Sequence, residues 1–351
     1  MLTGRLRPLC VWITVATFAT TAGAWKDCPR GIVDAKGFGE QDQVVLLNTG
    51  SVTGSGAVII KPNWGRTYFG PHCRRFSTKD PWEDMSSLNL LGKSFSFTVD
   101  LSAVECNCNA ALYLVSMAQH RDGPSVDQDC SSDRYYCDAN SVCGTSPCSE
   151  IDIMEASRHA FVSTLHRKTD PYGASGGYSG GDQYYNGART FTSAAYGPSD
   201  SSTHINTEYP FTVTASFPTL AGSGNLRSMH IRLSQPESSG GGGGALARKL
   251  EFEVGLRYAG LEELTKALRA GMAPVVSYWG GGGNDLAWLD GPGEDHRGPC
   301  PLERSPSQEC KGSVALSAFR VDPPLVEPCA VGLYRQTDLE EKSSSAAVCV
   351  P

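Results

Sequence analysis

The sequence predicts an all-β chain: a jelly-roll sandwich of two antiparallel sheets with one short helix. Three observations carry that expectation. The 351 residues include 39 Gly and 21 Pro, with only 19% charged residues, a composition rich in turn formers and poor in the charged faces of long helices. Short runs of β-branched and aromatic residues recur between turn signals. Only one segment carries a helical period. At about 100–200 residues per domain the length fits one large domain or two small ones, with ample material for a buried core.

The first element is a leader. Residues 1–24 read as a secretory signal, with Arg5 and Arg7 as the positive end, Leu9–Ala16 as the apolar stretch, and Ala22-Gly23-Ala24 as a small-residue cleavage site before Trp25. A membrane span needs about 18 or more apolar residues, and Thr14, Thr17, Thr20 and Thr21 interrupt this one. The expectation is cleavage, secretion and no membrane attachment. Strand candidates then follow at Gln43–Leu47, Ala57–Ile60, Ser94–Leu101, Ala110–Met117, Ser149–Glu155, Phe211–Phe217, Met229–Leu233, Lys249–Val254, Ala273–Trp279 and Val314–Val321. In Ser94–Leu101 the apolar Phe95, Phe97 and Val99 alternate with polar partners, the period of a half-buried strand. The Gly/Ser run Ser238–Gly244 reads as a mobile hairpin tip. In Gly260–Gly271, Leu261, Leu264 and Leu268 with interspersed Glu and Lys form a short amphipathic helix closed by Gly271. The body of the chain is residues 25–322, and residues 323–351 form a tail with few strand signals.

Charge and cysteine usage narrow the chemistry. Thirty Lys+Arg against 37 Asp+Glu give a net charge of −7, which disfavours nucleic acid because phosphate binding needs a surplus of cations. Cys10 leaves with the signal. Twelve remain, Cys28, Cys73, Cys106, Cys108, Cys130, Cys137, Cys143, Cys148, Cys300, Cys310, Cys329 and Cys349, an even number that reads as disulfides in an oxidising compartment. Cys106-x-Cys108 lacks the usual zinc spacing, and no paired C-x₂-C follows, so no metal is expected.

The most informative segment is Cys148–Ser157, where Glu150, Asp152 and Glu155 interrupt an apolar strand. A regular strand sends Glu150 and Asp152 to one face and Glu155 to the other. A β-bulge between Asp152 and Glu155 returns all three to one face. Two Glu side chains leaning together from such a strand can bring their carboxyls near the roughly 5–5.5 Å of a retaining glycosidase. Asp152 between them raises the proton affinity of its neighbours and can hold one by a hydrogen bond. An acid-guarded edge strand is the alternative, and the motif by itself is not specific.

Four ordered blocks add specificity. They are Asn89–Ser102 followed by Cys106 and Asn109–Met117; Tyr136-Cys137-Asp138-Ala139; Ser149–Ser157; and Gly260–Met272 with Ser277-Tyr278-Trp279, Ala287–Asp290 and Arg297–Cys300. In order and spacing the chain resembles glycoside hydrolase family 7, the cellobiohydrolases and endo-β-1,4-glucanases, over about Cys28 to Val321. The resemblance implies a jelly roll with a long substrate cleft. It implies a retaining β-1,4-glucanase that needs no cofactor; the chain is expected to be secreted and to act as a monomer. By the same resemblance Glu150 is the nucleophile, Glu155 the acid/base, Asp152 the support of the nucleophile, and His166 a partner near the acid/base. Asn109, Tyr113, Asp138, Arg189, Trp279, Trp288 and Arg297 match sugar-binding or cleft positions. Cysteine matches suggest Cys106–Cys300, Cys137–Cys148 and Cys28–Cys73.

Two departures stand out: Met154 replaces the usual Trp, and Ser157 the usual Asn. No Trp lies in Val44–Thr53, and the chain is short of long covering loops, which favours an open groove and endo cutting. Two other readings remain. A β-1,3 or mixed-linkage glucanase of the family 16 type shares the E-x-D-x-x-E strand, and a wall protein could bind glucan without cutting it.

Overall fold

A computed structural model describes residues 30–38, 42–62, 65–71, 85–117, 136–141, 147–181, 188–198, 204–236, 248–281, 286–293, 298–301 and 309–323. The leader, the Cys28–Cys73 pairing, Arg297, the 238–244 connection and the tail beyond Pro323 lie outside them. The elements in chain order are β1 (Ile32–Lys36), β2 (Gln43–Asn48), β3 (Ser51–Val52), β4 (Val58–Ile60), β5 (Thr67–Gly70), β6 (Ser94–Asp100), β7 (Cys108–Val115), β8 (Glu150–Ala156), β9 (Phe161–His166), β10 (Ala174–Tyr178), β11 (Ala188–Arg189), β12 (Tyr196–Gly197), β13 (Ile205–Asn206), β14 (Phe211–Ser216), β15 (Met229–Gln235), β16 (Arg248–Val254), α1 (Leu261–Ala270), β17 (Ala273–Gly280), α2 (Ala287–Asp290) and β18 (Val314–Asp322).

All but β12 and β13 join one 16-stranded ladder. One layer runs β11-β10-β9-β8-β7-β17-β5-β2, the other β18-β6-β14-β15-β16, and β1 joins them by pairing antiparallel to β2 and parallel to β18. The expected sandwich is therefore present as one curved sheet folded over itself rather than two separate ones. Each strand predicted from sequence is found, to within about two residues at its ends.

Alternation decides what lies between the layers. Leu112, Leu114 and Ile151 of one layer and Phe97, Val99, Val213 and Ile231 of the other belong to one buried cluster. Edge contacts such as Phe161 on Phe252, with ring centroids 6.3 Å apart, carry this packing across the gap. The outward face of the first layer has its own apolar floor of Val45, Leu47, Tyr68, Tyr113, Val115 and Val275. On that floor the acidic strand presents its carboxylates.

The expected bulge is present in β8. Against β9, Asp152 pairs with Thr164 and Glu155 with Val162, so three residues on β8 span two on β9. Against β7 the register slips between Leu112, opposite Met154, and Tyr113, opposite Asp152. Ile153 and Met154 both enter the core, and this turns Glu155 to the side of Asp152. Met154, the departure from the family pattern, is fully buried and faces away from the carboxylates. Ser163 Oγ donates to the Ile153 carbonyl at 2.7 Å, meeting the backbone group that the bulge displaces. Ser163→Ala is expected to cost roughly 1–3 kcal/mol, the penalty for leaving a buried group without its partner, read as a lower midpoint in chemical denaturation.

The predicted helix is α1, with Glu262 and Glu263 in its first turn, Arg269 in its last, and Leu264 and Leu268 buried. Acids at the start and a cation at the end suit the helix dipole. Gly271 ends it at φ 94°, a conformation that favours glycine. The expectation of one helix is corrected by α2. Its four residues are too few to show a period, and the main chain beside it is held by Asp290 Oδ2, which accepts the Asn107 N–H at 2.8 Å.

Candidate active site

A cavity of about 450 Å³ opens over β8 and β9, lined by Asn140, Glu150, Asp152, Glu155, Thr164, His166, Pro171, Tyr172, Ser175, Trp279 and Trp288. Its position follows from local structure. The disulfide Cys137–Cys148 and the Cys148 N–H donating to the Asp138 carbonyl at 3.0 Å tie the 136–141 segment to the start of β8. That staple brings the Ala139 N–H to Glu150 Oε2 at 3.0 Å. Behind the strand, Glu263 of α1 accepts the Ser149 hydroxyl at 2.8 Å and the Lys168 N–H at 2.7 Å. The bridge Cys106–Cys300 also forms, and a further one, Cys108–Cys310, is added to those expected.

Each carboxylate has a distinct partner. Glu155 Oε1 accepts from Asn109 Nδ2 at 2.8 Å, and Asn109 Oδ1 accepts the Ala156 N–H at 3.1 Å. The second bond fixes which end of the amide faces Glu155. Asp152 Oδ2 lies 3.0 Å from His166 Nε2, while His166 Nδ1 is 2.9 Å from the Asp170 carbonyl. A carbonyl only accepts, so Nδ1 carries a proton and Nε2 faces the carboxyl. A hydrogen bond there requires one further proton held between Asp152 and His166.

Crowding three largely buried acids in one cavity wall raises their proton affinity. Burial pushes Glu155 up to about 8, with the Asp152 charge adding to it and Asn109 and His166 opposing. Burial likewise pushes Asp152 to about 8, with the Asp138 charge adding. Glu150 also moves upward, through burial and then Asp152, while His166 and the Ala139 N–H pull it back. The arrangement can hold one carboxyl as an acid while its neighbour ionises.

The other expected residues separate into two groups. Trp279, 39% exposed at the end of β17, and Trp288 both line the cavity. Asn109, Tyr113 and Asp138 are buried beneath its wall rather than on it. Tyr113 accepts from Arg66 Nε at 3.0 Å, and the Arg66 guanidinium sits 3.4 Å from the centre of the Tyr136 ring. Burial raises both phenols above their ordinary range. Asp138 acts on Glu150 and Asp152 through its charge. Arg189 is turned from the cavity: it donates to the Gly180 carbonyl and lies over the Tyr178 ring at 5.5 Å.

Sequence reasoning missed Asn140, Thr164, Pro171, Tyr172, Ser175, Arg66 and the Ala139 N–H. The Asp170-Pro171-Tyr172-Gly173 run does carry a turn signal, with an aromatic residue at its tip. Backbone donors leave no mark in a sequence.

Comparisons with known proteins place the chain in a family. The family model described as "Glycosyl hydrolase family 7" matches residues 69–145. A probable endo-β-1,4-glucanase celB of Neosartorya fischeri is 30% identical over 300 residues, 77% of this chain and 69% of that protein. Endoglucanase EG-1 of Hypocrea jecorina is 32% identical over 242 residues, 63% of this chain and 49% of that protein, so the chain spans about half the length of that relative. Among solved structures, a family 7 cellobiohydrolase of Daphnia pulex superposes with a TM-score of 0.54 at 21% identity, covering 79% of this chain and 80% of that one. The native endocellulase EGI of Humicola insolens gives 0.53 at 20% identity, over 78% of this chain and 77% of that one. The chain belongs to glycosyl hydrolase family 7.

Proposed function

We propose that the chain is a retaining β-1,4-glucanase that cuts cellulose-type chains internally. The observation that carries the reading is the bulged β8, which sets Glu150, Asp152 and Glu155 on one cavity wall with His166. Trp279 and Trp288 supply flat apolar faces on which the axial C–H groups of glucose can pack. Support for endo action comes from relatives named endoglucanases. Three disulfides and the signal-like residues 1–24 support export.

In this reading Glu150, with Oε2 held by Ala139, attacks the anomeric carbon through Oε1 as the bond to the leaving oxygen breaks. Glu155, with Oε1 engaged by Asn109, delivers the proton on Oε2 to that oxygen. A water molecule then enters. Glu155 takes its proton, the hydroxyl oxygen attacks the same carbon, and the ester to Glu150 breaks with inversion a second time. Asp152 and His166 keep one proton beside Glu150, which lowers the net negative charge against which the nucleophile must ionise.

Hydrolysis of carboxymethylcellulose, laminarin and mixed-linkage glucan tests the linkage. The expected result is new reducing ends from carboxymethylcellulose, with a fast fall in viscosity, and none from laminarin. Cleavage of laminarin alone would replace this reading with a β-1,3-glucanase. Retention on cellulose with no reducing ends over long incubation would make it a binding protein.

A further inference from the structure

The turn after β9 is built around His166. Asp170 N–H donates to the Arg167 carbonyl at 3.0 Å, and Asp170 Oδ1 accepts the Gly173 N–H at 3.1 Å. Thr169 takes φ 69° and Gly173 φ 54°, both in the left-handed region. At Gly173 an added Cβ would lie 2.7 Å from His166 Nδ1, so the backbone packs directly on the imidazole and leaves no room for a side chain. Tyr258, in the turn before α1, reaches across 88 residues of sequence. Its hydroxyl donates to Asp170 Oδ2 at 2.8 Å and accepts the Arg167 N–H at 2.9 Å. Burial pushes the Asp170 carboxyl up, but the Tyr258 hydroxyl, the Gly173 N–H and the Arg167 charge outweigh it and hold it below its ordinary range. The anchor is therefore held towards its ionised form, the one that accepts from both the Tyr258 hydroxyl and the Gly173 N–H.

We propose that Tyr258 and Asp170 are positioning residues that, through the Asp170 carbonyl, lock the His166 proton on Nδ1 and so decide the charge carried by the Asp152–His166 pair. The inference rests on the catalytic roles proposed above for Glu150 and Glu155. Its chemistry is a proton count. With Nδ1 protonated, the hydrogen bond between Nε2 and Asp152 contains a second proton, and the pair is neutral whichever atom holds it. With the proton moved to Nε2 and Nδ1 bare, the same hydrogen bond leaves the pair with a full negative charge next to Glu150. An imidazole without a fixed acceptor at Nδ1 exchanges between these forms. The clamp removes the second and thereby eases ionisation of the nucleophile.

The charged groups that bear on His166 are Glu150, Asp152 and Glu155 from β8, and Asp170 with Arg167 from its own turn. Asp138, from the segment stapled to β8, acts on Glu150 and Asp152. From α1 and the turn before it, Tyr258 brings a hydroxyl, and Glu263 accepts the Lys168 N–H. Of these, Tyr258 alone can be changed by removing one oxygen without altering a charge.

Tyr258→Phe keeps the ring, which lies close against Gly260, and deletes the hydroxyl. In ¹⁵N spectra of the parent, Nδ1 of His166 is expected to keep the shift of a protonated nitrogen across the titration while Nε2 alone moves. In the variant both should move. The acid limb of kcat/KM on cello-oligosaccharides should shift to higher pH, and kcat on its acid side should fall about tenfold, as when a hydrogen-bonded orienting partner is lost; KM should change less than about twofold. Asp170→Asn tests the same clamp from the other end, since it presents an N–H to the Tyr258 hydroxyl, and it should reproduce the pattern. A Tyr258→Phe protein with Nδ1 still protonated throughout and an unmoved acid limb overturns the clamp, even if it melts at a lower temperature. The nitrogen shifts are independent of turnover, so a parent that cuts no glucan would defeat the catalytic reading while leaving the tautomer result to stand or fall alone.

Discussion

Glu150→Gln is expected to lower turnover of cello-oligosaccharides by about 10³-fold or more, because an amide cannot form the covalent ester on which double displacement depends. Glu155→Gln should lower it by about 10²–10⁴-fold, the usual contribution of one positioned acid/base. The two variants differ in where they stop, and an aryl cellobioside with a dinitrophenolate leaving group separates them. That leaving group needs no proton. With Glu155→Gln the first step should proceed at close to the parent rate and release a burst of phenolate equal to the enzyme concentration. Hydrolysis of the ester should then be slow, since no base activates water. Azide needs no base, so it should accelerate the second step and give a β-glycosyl azide. With Glu150→Gln there should be no burst and no rescue of that kind. Both variants preserve shape, and each removes a carboxyl that burial disfavours in its charged form, so neither should unfold. A burst from Glu150→Gln, or none from Glu155→Gln with the activated substrate, exchanges or removes the assigned roles.

The chemistry of β8 is legible in the sequence because a strand has a period of two. Three acids at offsets of two and three cannot share a face unless one residue is added to the ladder, and Ile153 is that residue. What braces the bulge is less legible. Ser163 looks like any polar residue in Phe161–His166, and the strand itself carries no periodic signal, since all six of its residues are buried. Strand β10, Ala-Ser-Gly-Gly-Tyr, contradicts strand propensity. Its place is explained by close approach, because a Cβ at Gly177 would fall 3.2 Å from the Val162 Cα. Long-range partners are the least legible. Tyr258 and Asp170 are 88 residues apart, and their pairing depends on α1 packing behind β8, which no local pattern specifies. Arg189, matched to a sugar-binding position by resemblance alone, is engaged by the Gly180 carbonyl and the Tyr178 ring, contacts that no local pattern announces.

Activity and stability are expected to pull in opposite directions with pH, and Glu155 is the group that couples them. Its proton affinity in the folded chain lies near pH 8, against about 4.3 in an unfolded chain. Catalysis needs that proton, so kcat/KM should decline as pH rises through about 8, and Glu155→Gln should lose this alkaline limb with an activated substrate. For stability the same numbers fix the sign. Between about pH 4.5 and 8 the folded chain holds a proton on Glu155 that the unfolded chain has released. Stability therefore falls with rising pH across this window, and the loss is complete above about 8. Glutamine does not titrate. The difference in Tm between Glu155→Gln and the parent should accordingly be smallest near pH 4, grow in favour of the variant up to about pH 8, and level off beyond it. Because the cavity admits water to Glu155, the gain is smaller than that of a sealed carboxyl, with each kcal/mol worth about 2–4 °C in a chain of this size. A Tm difference that stays flat from pH 4 to 9 would mean that Glu155 titrates as it does in water. It could not then remain an acid at neutral pH, and the proton for the leaving oxygen would have to come from another group on the same wall, Asp152 being the one nearest to hand.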